Sequence, residues 1–153
     1  MIKNLKKEEC LTLLRNNYIG HLGYIVGESP FVIPITYFYY EEPENSIISY
    51  SLEGHKMDAM RKNQLVALQV DDIASVSNWK SVLIHGTFEE LRSIDAKNLL
   101  HQFSLGVKDI INRKEDKNLQ FIHEFSSKLG TMGTSPIVYR IKINEITGKV
   151  RNE

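Results

Sequence analysis

The residues from Ser49 to Lys56 combine the groups that a bound phosphate requires. A predicted strand ends in Ser49-Tyr50-Ser51, and Gly54-His55-Lys56 then leads into a predicted helix. A helix N-terminus carries unpaired backbone N–H groups and a partial positive charge. Ser51 would add a hydroxyl donor and Lys56 a positive charge. The pattern indicates a phosphate site, and the alternative interpretation is a helix cap with a solvated lysine.

A proline stands in the middle of Ile33-Pro34-Ile35-Thr36-Tyr37, a segment that otherwise has strand composition. Proline lacks the N–H that a sheet ladder needs, so it is expected at a sheet edge or a bulge. Backbone groups beside it are then available to another partner. A planar heterocycle with donors and acceptors along its rim would fit there, and an edge strand without a ligand is the alternative.

Trp79, the only tryptophan, directly precedes a predicted strand. It can stack on a ligand, fill an interface or anchor packing. The five histidines have no zinc-motif spacing, and no nucleophile elbow, Walker loop or dinucleotide fingerprint is present; the histidines are His21, His55, His85, His101 and His123. We therefore assign no side chain as catalytic.

The composition is that of an ordinary globular chain of one domain, residues 1–153. Its 19 basic and 19 acidic side chains cancel, which gives no electrostatic indication of a nucleic acid or membrane partner. A single cysteine, Cys10, allows no intrachain disulfide. No segment has the length of a signal peptide core or a membrane span. We expect a cytoplasmic protein that binds a small molecule.

Periodicity and turn residues predict the elements that must position these groups. In the first half we expect a helix over 7–16, a strand over 18–26, a turn over 27–30, a strand over 31–40, its hairpin partner over 47–51 and a helix over 54–63. In the second half we expect a strand over 65–70, a polar loop over 71–78, a strand over 80–91, helices around 94–103 and 119–129 joined near 112–116, a strand over 137–143 and a closing tail over 146–150. Gly86 should mark a bulge or a close backbone approach.

Strands dominate the middle of the chain and do not alternate regularly with helices. This order argues against a parallel doubly wound sheet. A mainly β fold, a small antiparallel barrel with peripheral helices, is the expected architecture because closure removes exposed sheet edges.

Four consecutive aromatic residues, from Tyr37 to Tyr40, occupy one predicted strand. Such a strand needs cover on both faces, and a barrel core covers only one. A second copy of the chain would cover the other, which predicts a homodimer. One of the late helices is the alternative cover.

These segments follow one another as in a known family. The chain resembles the pyridoxamine 5′-phosphate oxidase-related flavin-binding split barrels, particularly the subgroup of 5-nitroimidazole-resistance proteins. The resemblance covers about residues 19–149. The segments that carry it are Gly20-His21-Leu22-Gly23, Val32-Ile33-Pro34-Ile35-Thr36-Tyr37, Gly54-His55-Lys56, Val66-Ala67-Leu68-Gln69-Val70-Asp71, Trp79-Lys80-Ser81-Val82 with Gly86, and Ile146-Thr147-Gly148-Lys149.

The resemblance implies a six-stranded antiparallel split β-barrel that dimerises, with FMN sites between the subunits. By this likeness the strand from Ile33 to Tyr37 lies along the isoalloxazine ring. Ser51 and Lys56, with Tyr50 and His55, would hold the phosphate. Trp79, Ser81 and Val82 would complete the ring pocket. In one possible arrangement, these three residues come from the partner chain.

One position departs from the subgroup. Its members usually carry a histidine seven positions before the lysine, where this chain has Ser49. The departure weakens the case for nitroimidazole reduction and affects FMN binding less. The expected function is an FMN-dependent oxidoreductase acting on a small planar acceptor. The alternative is a flavin- or haem-binding or stress-related protein of the same fold, in which His21, His55 or His85 could ligate haem.

Overall fold

The structure is a computed structural model that describes residues 1–42, 44–114 and 136–153. Three helices and eight strands are defined in it. They are β1 (Ile2–Asn4), α1 (Lys7–Arg15), β2 (Ile19–Val26), β3 (Ser29–Thr36), β4 (Phe38–Tyr40), β5 (Ser46–Ser51), α2 (His55–Lys62), β6 (Leu65–Ser75), β7 (Asn78–Glu90), α3 (Ser93–Lys114) and β8 (Ile137–Asn152).

All strand pairs are antiparallel, and the sheet order is β3-β2-β6-β7-β8-β5-β4 with β1 added to β8. β8 is 16 residues long and pairs with β1, β5 and β7. Without the three-residue strands β1 and β4, six strands remain. The predicted six-stranded split barrel with peripheral helices is confirmed.

The core fills the inside of this sheet, and the buried face of α1 packs into it. Cys10, Leu13 and Leu14 recur at helical spacing on the buried face of α1. Lys6 N–H donates to the Glu9 carboxylate at 3.0 Å, which satisfies one of the unpaired donors at the start of this helix. Cys10, Leu13 and Leu14 belong to the main hydrophobic cluster.

The strand predicted over 31–40 is in fact two strands that pair with different neighbours. β3 pairs with β2, whereas β4 pairs with β5, and the change of partner occurs at Tyr37. The predicted turn is also shorter, because Gly27 and Glu28 alone form it and Ser29 already opens β3. Gly27 has φ 61°, a conformation that glycine adopts without strain.

Two later strands are longer than the sequence predicts, because they stay paired with their neighbours. The predicted polar loop over 71–78 is strand as far as Ser75, because β6 and β7 stay paired to Ser75 and Asn78. The last strand runs without a break from Ile137 to Asn152. The predicted irregularity at Gly86 is confirmed, since the pairing of β7 with β8 shifts between His85 and Gly86.

The four consecutive aromatic residues are covered within one chain. Tyr37 and Tyr39 lie in the barrel core, and Phe38 and Tyr40 pack against a second cluster formed with α3. The alternative cover by a late helix is therefore the one observed, and these aromatics give no support to a dimer. The helix expected around 119–129 lies outside the described residues.

In the part of the chain that the structure describes, no helix has the length and apolar character to cross a membrane. Within the same residues, no group of three or more His, Cys, Asp or Glu side chains is arranged to hold a metal ion.

Candidate functional site

β3 lies at one end of the sheet, where β2 is its only partner among the described strands. Tyr37 N–H donates to Tyr18 O at 2.8 Å. Hydrogen-bonded pairs alternate along antiparallel strands, so Val32, Pro34 and Thr36 direct their backbone groups away from β2. Pro34 therefore removes no hydrogen bond from the ladder, and its predicted place at a sheet edge is confirmed. This edge presents two N–H groups and three carbonyl oxygens.

Ser49 connects β5 to the end of that edge. Its hydroxyl donates to Thr36 O at 2.7 Å, and its side chain is only 2% exposed. The Tyr139 hydroxyl faces Ser49 from β8, and burial raises the pKa of Tyr139 to about 12. The Ser49 hydroxyl donates its hydrogen bond within the protein, so Ser49 acts by fixing the position of the Thr36 carbonyl.

The turn after β5 leads into the N-terminus of α2. Gly54 O accepts the first helical hydrogen bond, from Asp58 N–H at 3.1 Å, so the N–H groups before Asp58 point out of the helix end. Lys56 lies in this first turn and is half-buried. Its burial lowers the pKa of the ammonium group, and no carboxylate among the described residues offsets that cost by ion pairing. Such a lysine favours an anionic ligand.

His55 ties the start of α2 to the hairpin formed by β2 and β3. Its Nδ1 lies 3.0 Å from the Tyr24 hydroxyl. Its ring meets Phe31 edge-on, with the ring centroids 4.9 Å apart, and Phe31 stacks on Tyr24 at 5.6 Å. The three rings fix the position of α2 relative to the beginning of β3.

Both ends of the β3 edge therefore contact the segment Ser49–Lys56: Thr36 meets Ser49, and Phe31 meets His55. We call the space between the β3 edge and this segment the cleft. One wall offers backbone donors and acceptors in a row, and one end has a helix N-terminus with Lys56. The donor set suits a planar ring that carries an anionic group.

Several predicted site residues direct their side chains away from the cleft. Ile33 and Ile35 pack in the barrel core, and Tyr37 is fully buried with its hydroxyl donating to Leu14 O at 2.8 Å. Burial raises the pKa of Tyr37. Tyr50 packs edge-on against Phe103 of α3, at 5.2 Å between ring centroids. None of these four side chains is available to a ligand in the cleft. The backbone groups of Ile33 and Ile35 bond to β2, and Tyr37 N–H donates to Tyr18 O. Ser51 is half-buried, and its hydroxyl donates to Leu52 O at 2.9 Å.

The remaining predicted residues lie on β7, which β2 and β6 separate from β3 in the sheet. Trp79 is half-buried opposite Ile73, and Ser81 Oγ accepts a hydrogen bond from Gln69 Nε2 at 3.0 Å. Val82 is fully buried in the barrel core. Within one chain, the structure thus brings together the β3 and α2 segments and leaves Trp79 and Ser81 on a different part of the outer surface.

Sequence reasoning missed Tyr24 and Phe31 as residues of this site. The short turn at Gly27 and Glu28 gives the signal that could have found them, because it places Tyr24 directly opposite Phe31. It also missed an apolar depression of about 420 Å³ on the outer face of the sheet. Residues that line this depression include Gly23, Val32, Leu65, Ala67, His85 and Asn144.

Comparisons with known proteins agree with this architecture. A crystal structure of a FAD-binding protein from Mesorhizobium loti is similar with a TM-score of 0.76 and 25% identity, covering 100% of this chain and 98% of that one. The FAD- and haem-binding protein of Mycobacterium smegmatis gives a TM-score of 0.68 at 16% identity, covering 99% of this chain and 74% of that one.

An uncharacterized protein of Rhizobium meliloti (strain 1021) is 32% identical to this chain over 90 residues. The match spans 59% of this chain and 58% of that protein, a little more than half of each. The family described as pyridoxamine 5′-phosphate oxidase matches residues 6–150, nearly the whole sequence. The chain therefore belongs to the pyridoxamine 5′-phosphate oxidase family.

Proposed function

We propose that the cleft binds a flavin, with FMN as the cofactor. One observation carries the proposal: both ends of the β3 edge contact the segment that ends in the half-buried Lys56. A flavin phosphate ester has the same layout, a flat ring with polar atoms along one rim and an anion on a flexible chain. The description of the Mesorhizobium loti relative as FAD-binding supports a flavin in general.

The phosphate would meet the N–H groups at the start of α2, the Lys56 ammonium and the Ser51 hydroxyl after rotation. The ring would meet the N–H groups of Val32 and Thr36 and the Pro34 carbonyl. Phosphate binding also accounts for the tolerance of a half-buried lysine without a carboxylate partner, since the ligand supplies the missing charge.

We further propose a homodimer in which Trp79 and Ser81 of one chain reach the cleft of the other. Apolar side chains are more than half exposed on the outer face of the sheet, where a monomer would leave them in water; they are Ile19, Val32, Leu65 and Ile73. Ile73 lies directly opposite Trp79. A partner on this face would bury both residues together.

The proposed activity is oxidoreduction of a small planar acceptor. When bound, the flavin supplies two-electron chemistry, and the protein supplies binding, orientation and exclusion of water. No side chain needs to act as a nucleophile, in keeping with the absence of a catalytic motif in the sequence. Ser49 fixes Thr36 where the nitroimidazole-resistance subgroup has a histidine, so nitroimidazoles are not the acceptor that we propose.

Titration with FMN, FAD and riboflavin, followed by flavin fluorescence, tests the cofactor. We expect FMN to bind most tightly, riboflavin weakly and FAD in between. Tighter binding of FAD than of FMN would support a flavin site and would identify FAD, not FMN, as the cofactor. Oxidation of NADH or NADPH by the loaded protein, with a quinone or a nitro compound other than a nitroimidazole as acceptor, tests the activity.

A second candidate is haem binding at the apolar depression, because His85 lines it and could provide an axial ligand. His21 is less suited, since its Nδ1 lies 3.1 Å from Gln69 Oε1, and His55 is engaged with Tyr24. A haem spectrum that forms on titration and is lost in His85→Ala would support this candidate. An unchanged haem spectrum in that variant would exclude His85 as the ligand.

A further inference from the structure

The turn that carries the proposed phosphate site has little packing of its own. Leu52, Glu53 and Gly54 are all exposed, and a Cβ added at Gly54 would meet no atom within 4 Å. The backbone of such a turn is free to move unless side chains hold it. A phosphate site made of backbone N–H groups depends on the position of that backbone.

Arg61 of α2 holds this turn through two forked ion pairs. Its Nη1 and Nη2 lie 2.7 Å and 2.9 Å from the two carboxylate oxygens of Glu53. Its Nε and Nη2 lie 3.2 Å and 2.9 Å from those of Glu90, the last residue of β7. A planar guanidinium bound in this way fixes both distance and direction.

The second pair anchors the turn to the sheet. Glu90 is opposite Tyr139 of β8, and its side chain is 18% exposed. Hydrogen bonding to Arg61 lowers the pKa of Glu90 and the pKa of Glu53, so both remain ionised at neutral pH. Arg61 thus links an exposed turn to one of the longest strand pairs in the protein.

We propose that Arg61 is a positioning residue for the phosphate of the bound flavin, acting through Glu53 and Glu90. This inference rests on the proposed function. Arg61 holds the turn between Ser51 and Lys56 in its binding conformation, and it neutralises the Glu53 carboxylate, which would otherwise repel an anion bound close by.

Substitution of Glu90 distinguishes a positioning role from a purely electrostatic one, because the two roles predict opposite changes in FMN affinity. Glu90→Gln removes a negative charge, and charge alone would then make the protein bind an anion more tightly. If Glu90 instead anchors the turn through Arg61, the same substitution weakens FMN binding. Riboflavin, which has no phosphate, should lose little affinity in either case.

The test compares the FMN and riboflavin dissociation constants of Glu90→Gln, Arg61→Lys and wild type by fluorescence titration, with thermal unfolding recorded for each protein. We expect the preference for FMN over riboflavin to fall about tenfold in both variants, by analogy with the lower end of the loss when outer-shell partners of metal ligands are removed. Riboflavin affinity reports folding, because a misfolded variant would lose both ligands.

Glu89→Gln is the matched control. It makes the same chemical change one residue earlier on β7, where Glu89 pairs with Arg140 and Lys142 instead of Arg61. We expect it to leave the preference for FMN unchanged. An unchanged or increased preference in Glu90→Gln would overturn the inference.

Lys56→Met, measured in parallel, distinguishes the two proposals. If Lys56→Met loses the preference for FMN while Glu90→Gln keeps it, the phosphate site stands and the role of Arg61 is refuted. If wild type shows no preference for FMN, the proposed function itself fails.

Discussion

Replacing Lys56 by methionine tests the phosphate site most selectively, because it removes the charge and keeps the length of the side chain. Lys56 is half-buried at the start of α2 and has no carboxylate partner among the described residues. A hydrogen bond to a charged group contributes about 1.5–3 kcal/mol. The FMN dissociation constant should therefore rise about 10-fold to 150-fold, while that of riboflavin stays within about twofold.

The same variant should be more stable than wild type in the absence of ligand. Burial lowers the pKa of Lys56 in the folded protein, so the charged form is disfavoured there relative to the unfolded chain. This cost is fully present below the folded pKa and disappears as the pH rises towards the ordinary lysine value of about 10.4. At pH 7, Lys56→Met should raise the midpoint of thermal unfolding, and the difference should shrink as the pH rises towards about 10.4.

Isothermal titration calorimetry of FMN and riboflavin measures the two affinities. Thermal unfolding between pH 7 and about pH 10.5 measures the pH-dependent difference in stability. Lys62→Met is the control, since Lys62 lies exposed in the last turn of the same helix, where a positive charge is mildly stabilising. It should leave both affinities unchanged and slightly lower stability. Equal losses of FMN and riboflavin in Lys56→Met would refute the reasoning.

Three further substitutions, two of them with a matched control variant, test other parts of the structure. Ser49→Ala should lower the free energy of unfolding in urea by about 1 kcal/mol, because it breaks the bond to Thr36 O; no loss would show that the bridge does not hold β3. Gly86→Ala should cost about 1–3 kcal/mol, because its Cβ would lie 2.5 Å from both Ile141 Cγ2 and Lys142 O. Gly54→Ala, with nothing within 4 Å, should change stability little, and similar losses in both variants would contradict the packing described here. Ile73→Asp should convert the proposed dimer to a monomer in sedimentation velocity, whereas Ile94→Asp, at an exposed residue of α3, should not; a wild-type monomer at micromolar concentration would refute the dimer.

Much of the fold follows from local pattern. Apolar spacing locates α1 and the start of α3, and turn residues between strands of alternating or apolar composition locate the hairpins. Pro34 and Gly86 each indicate a special backbone environment, and the structure places them at a sheet edge and at a shift of strand register. These features depend on the residue itself, which is why the sequence reveals them.

Other features depend on partners distant in the sequence. The change of partner at Tyr37 has no local sign, because both β3 and β4 have strand composition and the composition does not show which strand each one meets. Residues 71–75 look like a polar loop, yet pairing with β7 extends the strand through them. Local composition reports neither pairing.

The candidate site was also predicted only in part from the sequence. Residue types identified Lys56, Ser51 and Pro34, but only the fold shows that the side chains of Tyr37 and Val82 lie in the barrel core. Arg61 and its partner Glu90 are 29 positions apart and share no motif, so no sequence signal joins them. Side-chain direction and long-range ion pairs require the structure.

The central claim, that the cleft binds a flavin through its phosphate, is tested most directly by the visible absorbance spectrum of the purified protein. The spectrum should be recorded before FMN is added, and again after excess FMN is added and removed by desalting. We predict a retained flavin spectrum in wild type that is strongly reduced in Lys56→Met. A wild-type protein that stays colourless after this treatment would contradict the account.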